Sequence, residues 1–349
     1  MKYLFCFILL SFIIISCNKE VDEELKNYYS CGVISSDVVS YNTKKVILKV
    51  RFFVLDKSNN EELINSDILN NLYPSDLSYY GTLDSLKMVF TPEIGNYSAA
   101  VLMSTGLDQD ANTRDYFLIM EPTIRKFLKT SCPENEVMLA KIGDKSKPLE
   151  ILVNGYTTNA EELDIPLAEI YKNGNYPATD TLYLLDALDS MINYMDQKSL
   201  FNNKHLIIVY SRRKVFLENF NLDTIINKAS EKGVTCHLLE STPSYNTWVN
   251  NDLKKFLFKL NAKTNGMYYA SPFWYSFDWG ELPMDMLLMS ARLGDILNGK
   301  FECFEAVWTI TSDYPVFYLY TSHSWDFSIN LKTNYEQQNI SVPFNFYID

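Results

Sequence analysis

The middle of the chain alternates short apolar runs with amphipathic segments. The runs have the length of buried strands, whereas the segments carry apolar residues at helical spacing. Strands that alternate with helices of this length imply right-handed crossovers and a mostly parallel sheet covered by helices on both faces. The pattern predicts strands over 97–103, 137–142, 149–153, 205–210, 234–239 and 267–270, and helices over 112–129, 181–195, 222–232 and 252–264.

The two flanks of this α/β region have the alternating, aromatic-rich pattern of β structure. Neither flank is large enough to build a core alone. We therefore expect the two to pair into one β-sandwich-like domain into which the α/β domain is inserted. The expected strands cover 46–55 and 85–90 before the α/β region, and 301–311, 316–321, 325–331 and 341–348 after it.

The amino terminus has the pattern of an export signal. Lys2 precedes an apolar run over residues 3–15, which is shorter than the roughly 20 residues that a membrane-spanning helix needs. Residues 14–17 resemble the lipobox of bacterial lipoproteins, in which the cysteine is acylated and becomes the mature amino terminus. The resemblance implies that Cys17 carries acyl chains such as palmitate, which anchor the protein to a membrane leaflet.

An acidic run, residues 20–24, follows the lipobox. In some Gram-negative lipoproteins an acidic run at this place resembles an export signal for the outer surface, whereas a flexible solvated tether is the alternative. We therefore expect a protein of the bacterial cell envelope that is lipid-anchored to the outer membrane. Surface exposure follows only if the acidic run is an export signal.

These patterns divide the chain into six segments. The β-rich flanks enclose the α/β domain on both sides in sequence. The segments are a lipoprotein signal peptide (1–17), a tether (18–30), an N-terminal β segment (31–95), the α/β domain (96–270), an aromatic linker with a helix (271–298) and a C-terminal β segment that pairs with the N-terminal one (299–349).

Charge and cysteine content narrow the expected partners and cross-links. The formal net charge of −12 at pH 7 gives no electrostatic reason to expect nucleic acid as a partner. The four cysteines beyond the lipobox have no metal-binding spacing, and export places them where disulfides form. Pairing of the two flanks would bring Cys31 near Cys303, which predicts a disulfide between them. Cys132 and Cys236 lie within the α/β region and are expected to remain thiols.

The order and the amino-acid sequence of several segments resemble a von Willebrand factor A (vWA) domain over residues 97–270. The matching segments are the first strand with the turn that follows it, and residues 181–188, 229–235 and 261–269. The resemblance implies a vWA-like, Rossmann-type α/β fold. It also implies a ligand crevice at the carboxyl ends of the parallel strands.

The vWA family binds a metal ion at this crevice, its metal-ion-dependent adhesion site. The ligands come from an Asp-x-Ser-x-Ser turn after the first strand, a threonine before the middle helix and an aspartate after the fourth strand. In this chain Met103 holds the first aspartate position and Leu107 the last serine position, which leaves the hydroxyl of Thr105. Arg212 follows the fourth strand, where the second aspartate is expected. These departures predict a degenerate site with no resident cofactor.

A displaced calcium or magnesium site is the alternative for this crevice. Asp108, Asp110 and Asn112 place oxygen side chains at alternate positions, which is the spacing of calcium-binding loops. Thr113 stands where such loops have a glycine, and no glutamate follows at the twelfth position. Capping of the next helix is the simpler explanation. If a cation binds, its expected ligands are these three residues and Thr105.

Other residues at the same end of the sheet offer binding without a metal. Arg212 and Arg213 are suited to a carboxylate or phosphate, or they are solvated surface charges. Ser104 adds a hydroxyl at the first turn. The segment after the last predicted strand is rich in aromatic residues. There Trp274 and Trp279 form a platform for a sugar or a protein, unless the rings wedge the two domains together.

The sequence gives little support to catalysis. His205 and His237 lie within apolar strands, where core positions are expected, and no serine or cysteine nucleophile motif accompanies His323. We therefore expect a noncatalytic, adhesin-like binding lipoprotein, not an enzyme, whose vWA-like domain engages a protein or glycan. The alternative is a structural or assembly subunit of a cell-envelope complex in which the crevice is vestigial.

Overall fold

Fourteen strands and seven helices make up the part of the chain that the structure describes. The computed structural model describes residues 29–56, 61–62, 72–74, 80–91, 95–104, 113–143, 145–172, 183–210, 221–240, 251–270, 292–299, 301–319, 322–332 and 337–348. Among the helices in these ranges, none is long and apolar enough to cross a membrane.

Strands and helices are numbered separately in chain order. The strands are β1 (Tyr29–Tyr41), β2 (Lys45–Asp56), β3 (Glu61–Glu62), β4 (Leu72–Pro74), β5 (Tyr80–Phe90), β6 (Tyr97–Ser104), β7 (Glu136–Ile142), β8 (Leu149–Ile151), β9 (Asn203–Tyr210), β10 (Val234–Glu240), β11 (Tyr268–Ala270), β12 (Glu302–Thr311), β13 (Ser322–Lys332) and β14 (Gln337–Tyr347). The helices are α1 (Thr113–Ser131), α2 (Glu161–Lys172), α3 (Leu184–Lys198), α4 (Leu222–Glu231), α5 (Asn251–Lys263), α6 (292–298) and α7 (Val316–Leu319).

The α/β domain is built on a six-stranded sheet in the order β11-β10-β9-β6-β7-β8. Neighbouring strands are parallel except for β7 and β8, which run antiparallel. Counted from β6, this is the 3-2-1-4-5-6 order of doubly wound sheets. The predicted α/β fold with a mostly parallel sheet is confirmed. The strand order reverses between β6 and β9, which places the crevice at the carboxyl ends of those two strands.

Helices bury both faces of this sheet, as its nearly continuous apolar strands require. On one face, Leu102 and Ile208 belong to an apolar cluster with residues of α3, α4 and α5. On the other face, Val101 and Ile207 belong to a second cluster with residues of α1, α2 and α6. Consecutive strand residues therefore serve two different cores.

The segments before and after the α/β domain form one β-sandwich. In the five-stranded sheet, β12 lies between β2 and β5 and is antiparallel to both. The three-stranded sheet β14-β13-β4 packs against it through a shared aromatic core. The ring of Phe327 lies 5.0 Å from that of Phe52 and 5.4 Å from that of Trp308, measured between centroids. The expected β-sandwich-like part of the fold is thus present.

The five-stranded sheet also packs against the α/β domain. Phe53 and Cys303 belong to the same apolar cluster as α1 and α6. Where the chain leaves and re-enters this sheet, the Thr91 N–H donates to the Phe301 carbonyl at 2.7 Å, and the Phe301 N–H donates to Thr91 Oγ1 at 2.8 Å. These two bonds tie the connections at the junction between the domains.

The strand order contradicts the predicted disulfide between Cys31 and Cys303. Cys31 lies on β1 opposite Val54 of β2, and Cys303 lies on β12 opposite Val89 of β5. Since β2 separates β1 from β12, the two Cα atoms are about 10 Å apart, two strand spacings. A disulfide spans at most about 7 Å between Cα atoms. Pairing of the flanks alone was therefore not enough to bring the two thiols together.

One expected strand of the C-terminal flank was also wrong. Residues 316–319 form the short helix α7 instead of the beginning of a strand. Pro315 precedes it, and proline has a fixed φ and no N–H with which to continue a strand ladder. The helical turn places Phe317 in the sandwich core, where only 2% of its surface is exposed.

Candidate binding site at the sheet crevice

The crevice lies where β6, β9 and β10 end. Ser104, Tyr210 and Glu240 are the last residues of these three neighbouring strands. Tyr210 is opposite Glu240 in the strand register, and Ser104 is opposite Ile142 of β7. A serine, a tyrosine and a glutamate therefore end adjacent strands at the switch point. The sequence pattern predicts Ser104 as a site residue but not Tyr210 or Glu240, although each of these two closes an apolar run.

Met103 occupies the position that the vWA resemblance assigns to the first aspartate ligand. Its side chain is 1% exposed and belongs to the apolar cluster beneath α1. The register places it beside Val209 of β9. A thioether buried among hydrocarbon side chains offers no oxygen to a hard divalent cation. The donor set at this position does not fit the metal that the family binds.

Most of the predicted site residues lie outside the described residues. Ser104 is described only as the end of β6, without its side chain. Within the described ranges, no group of three or more His, Cys, Asp or Glu side chains is placed to hold a metal ion. The predictions that remain untested concern Cys17, Thr105, Asp108, Asp110, Asn112, Arg212, Arg213, Trp274 and Trp279.

Two buried histidines lie below the crevice, on adjacent strands. His205 on β9 and His237 on β10 are each 4% exposed, which confirms their expected core positions. His205 Nδ1 lies 3.0 Å from His237 Nε2, and the Met267 N–H donates to His237 Nδ1 at 2.9 Å. Because His237 Nδ1 accepts a bond, the proton of this neutral ring is assigned to Nε2, which donates to His205 Nδ1. The proton of His205 is then on Nε2.

Burial favours the neutral form of both rings. Desolvation lowers the pKa of His205 from 6.5 to about 4. Desolvation, reinforced by the neighbouring His205, also holds the pKa of His237 well below its usual value. His205 Nε2 is buried and has no hydrogen-bond partner among the described atoms. The pair is therefore neutral at pH 7 and has a single defined proton arrangement.

Tyr97 links this pair to α1 and α6. Its ring packs edge-on against His205, with centroids 5.4 Å apart at 88°. Its hydroxyl donates to Ser131 Oγ at 2.8 Å, and its N–H donates to Asn135 Oδ1 at 2.9 Å. Asn135 Nδ2 in turn donates to Asn298 Oδ1 of α6 at 3.0 Å. We call the series Met267, His237, His205, Tyr97, Asn135 and Asn298 the buried polar chain.

A second polar cluster lies at the amino end of the same sheet. Glu136 is 5% exposed and accepts hydrogen bonds from the Ser98 hydroxyl at 2.5 Å and the Leu200 N–H at 2.6 Å. Ser98 Oγ also accepts from the Phe201 N–H at 3.1 Å. These bonds attach the connection between α3 and β9 to the beginnings of β6 and β7. The cluster is a structural one that the sequence did not indicate.

Comparisons with known proteins gave similar structures but no family. No family model matches the chain, and no curated protein matches its sequence. Among solved structures, the chain is similar to a von Willebrand factor type A protein from Catenulispora acidiphila, with 8% identity and a TM-score of 0.43 over 91% of this chain and 72% of that chain. The strand order by itself gives a doubly wound α/β fold.

Two further solved structures are similar at the same low level. One is the pilus adhesin SpaC from Lactobacillus rhamnosus GG in its open conformation, with 6% identity and a TM-score of 0.41 over 90% of this chain and 47% of that chain. The other is the manganese-loaded TRAP protein of Plasmodium vivax, with 12% identity and a TM-score of 0.40 over 76% of this chain and 97% of that chain. Likeness at this level does not transfer a ligand or a function, so the fold rests on the strand order.

Proposed function

We propose that the protein is a membrane-anchored, noncatalytic, adhesin-like lipoprotein that engages a protein or glycan at the bacterial cell envelope. The observation that carries this proposal is the reversal of strand order between β6 and β9. Doubly wound sheets bind their ligands at the carboxyl ends of the strands on either side of such a reversal. In this chain Ser104 ends β6 there, and Arg212 and Arg213 follow β9.

The proposed binding does not use the divalent ion of the vWA family. The burial of Met103 supports this, because an apolar side chain replaces the first carboxylate ligand. The paired guanidinium groups of Arg212 and Arg213 are suited to bind a carboxylate or phosphate of the partner directly. Trp274 and Trp279 supply ring surfaces for a sugar or a protein hot spot.

The arginine pair is tested with the full chain by capture of ligands from an envelope extract. The variant Arg212→Ala/Arg213→Ala should lose capture. The matched control is Lys44→Ala/Lys45→Ala, which removes the same charge from two exposed residues, one in the β1–β2 turn and one at the start of β2. Unchanged capture by the arginine variant would remove these residues from the binding site.

Calorimetry of the full chain with calcium, magnesium and manganese tests the absence of a metal. We expect no binding heat for any of the three ions. A heat that Asp108→Asn or Asp110→Asn removes would instead support the displaced cation site and contradict metal-independent binding.

Lipidation of Cys17 is tested by labelling cells with a palmitate analogue. The wild-type chain should carry the label and fractionate with the outer membrane, whereas Cys17→Ser should carry none. Label that persists in Cys17→Ser would contradict the proposed anchor and, with it, the envelope location.

The second candidate function is a structural or assembly subunit of an envelope complex. The paired bonds between Thr91 and Phe301 and the position of β12 within the five-stranded sheet favour it, because they join the two domains firmly. A stoichiometric partner that the Arg212→Ala/Arg213→Ala variant still retains would favour this function over crevice binding.

A further inference from the structure

We propose that His205 and His237 form an acid-sensitive lock in the α/β domain. In this proposal, protonation of either imidazole breaks a hydrogen bond of the buried polar chain and loosens the contact between the sheet and the junction of the two domains. The lock is independent of the crevice and of its ligand.

The hydrogen-bond pattern leaves no free position for an extra proton on the bonded side of either ring. A proton added to His237 goes to Nδ1, which accepts the Met267 N–H at 2.9 Å. A proton added to His205 goes to Nδ1, which lies 3.0 Å from the Nε2 of His237. In both cases two N–H groups would face each other. Each protonation therefore costs one buried hydrogen bond as well as the burial of a charge.

The surroundings offer little to offset an imidazolium charge. Both rings lie on the sheet face that belongs to the apolar cluster beneath α1 and α6. Burial alone acts on His205, and burial together with His205 acts on His237. Tyr97 on β6 packs against His205, and the titratable groups that in turn act on Tyr97 are Cys132 after α1 and Asp295 on α6. Asp295 is already bound to Arg292, at 3.4 Å. No carboxylate among the described residues bonds to either ring.

The buried polar chain connects the pair to the domain junction. Tyr97 contacts His205 and bonds to Asn135, and Asn135 bonds to Asn298 at the end of α6. Three residues later, Phe301 makes the two hydrogen bonds with Thr91 at the junction, one to the Thr91 N–H and one to its side-chain Oγ1. A shift of the histidines can therefore reach the junction through direct contacts.

Close packing of α6 makes this coupling tight. A Cβ added at Gly294 of α6 would lie 2.8 Å from Thr130 Oγ1 of α1. The two helices therefore approach as closely as a glycine allows. Because packed interfaces of this kind deform little, a displacement of α1 is passed on to α6.

Imidazole nitrogen spectra of the ¹⁵N-labelled full chain test the lock directly. The chain has only three histidines, so three pairs of ring nitrogen signals are expected, with His323 as the internal reference. At pH 7 we expect His205 and His237 both to carry their proton on Nε2. A proton on Nδ1 of either ring, or titration of either near pH 6.5 in an otherwise unchanged structure, would overturn the proposal.

Amide hydrogen exchange of the full chain measures the consequence. As the pH falls below 6.5, the protection factors of the Met267 and Phe301 amides should drop by about tenfold per pH unit for each proton taken up. The variant His205→Asn/His237→Asn keeps an acceptor near each Nδ1 but cannot titrate, so its protection factors should stay constant over this range. The single variants give intermediate results if the double variant does not fold.

The control variant is His323→Asn, which changes the third buried histidine, in the sandwich core. It should keep the full acid response of the two amides. An acid response of equal size in the wild type and in the variants at His205 and His237 would assign it to other groups and refute the lock.

Discussion

Tyr97 and Ser104 are the first and last residues of the same strand, β6, and the polar residues around them have different roles. At the amino end, Tyr97 is fully buried and its polar groups bond to residues of α1 and the turn that follows it. At the carboxyl end, Ser104 stands beside the crevice, where the candidate ligand residues follow. Polar residues at the amino end are therefore used for stability, whereas the proposed function assigns those at the carboxyl end to a ligand.

The largest expected effect comes from placing a carboxylate at the crevice end. Met103→Asp restores the family's first ligand type but buries a charge in an apolar cluster, which should lower the free energy of unfolding by about 4 kcal/mol. Met103→Leu, which keeps the volume, should cost only about 1 kcal/mol. Urea unfolding of the full chain measures both. If Met103→Asp is as stable as the wild type and manganese stabilises it further, a single carboxylate is enough to give the crevice a metal site. The proposal that the crevice binds without a metal would then be wrong.

The second prediction concerns pH and the buried histidines. The pKa of His205 is about 4 in the folded protein and 6.5 when exposed, so the unfolded chain takes up the proton first as the pH falls. Stability is therefore complete above pH 6.5, decreases through this window and stops decreasing below about pH 4. For His205 alone the loss amounts to about 3 kcal/mol, and His237 acts in the same direction.

Urea unfolding at several pH values between 7.5 and 4 measures this loss. Carboxylates also titrate near the lower limit, so the relevant quantity is the difference between the wild type and His205→Asn/His237→Asn. If the two lose stability in parallel, the amino end is not the pH-sensitive part of the sheet.

The pattern of apolar residues was sufficient to predict the sheet but not its cross-strand contacts. The apolar runs of β6, β9 and β10 predict buried strands, because strands covered on both faces are continuously hydrophobic. The position of His205 beside His237 depends on the register between β9 and β10, which no single segment contains. A signal was present, since each histidine precedes two apolar residues in a run of the same kind.

The two wrong expectations have the same physical origin. A disulfide between Cys31 and Cys303 depends on how many strands separate them, and β2 intervenes. The helical turn of α7 depends on Pro315 and on a place for Phe317 in the core. Local pattern predicts which residues are buried, whereas strand order and turn geometry decide what they meet.

The third prediction tests the buried carboxylate at the amino end. Glu136→Ala leaves the Ser98 hydroxyl and the Leu200 N–H without their acceptor and should cost about 2 kcal/mol in urea unfolding. Glu136→Gln keeps one acceptor oxygen and should cost less. Glu134→Ala, two residues earlier and exposed, should change stability by less than about 0.5 kcal/mol. An equally small effect at Glu136 would mean that this cluster does not support the sheet.

The fourth prediction removes one hydroxyl from the amino end of β6. Tyr97→Phe keeps the ring against His205 but loses the bond to Ser131, which should cost about 1 kcal/mol in urea unfolding. The cost stays small because Ser131 Oγ still donates to the Phe127 carbonyl at 2.8 Å. Capture of ligands from an envelope extract should not change. A loss of capture in Tyr97→Phe would show that the amino end also serves the ligand.

The smallest effect on stability is expected at the other end of the same strand. Ser104→Ala also removes one hydroxyl, but at the crevice end, and should change the free energy of unfolding by less than about 0.5 kcal/mol. Its effect should appear instead as weaker capture from the envelope extract, because the proposed function assigns this hydroxyl to the ligand. Together the two variants form a matched pair, one hydroxyl at each end of β6, with opposite outcomes in the two measurements. If Ser104→Ala lowers stability as much as Tyr97→Phe and leaves capture intact, the carboxyl end of β6 is part of the core, and the binding site must be sought among the segments after β9 and β11.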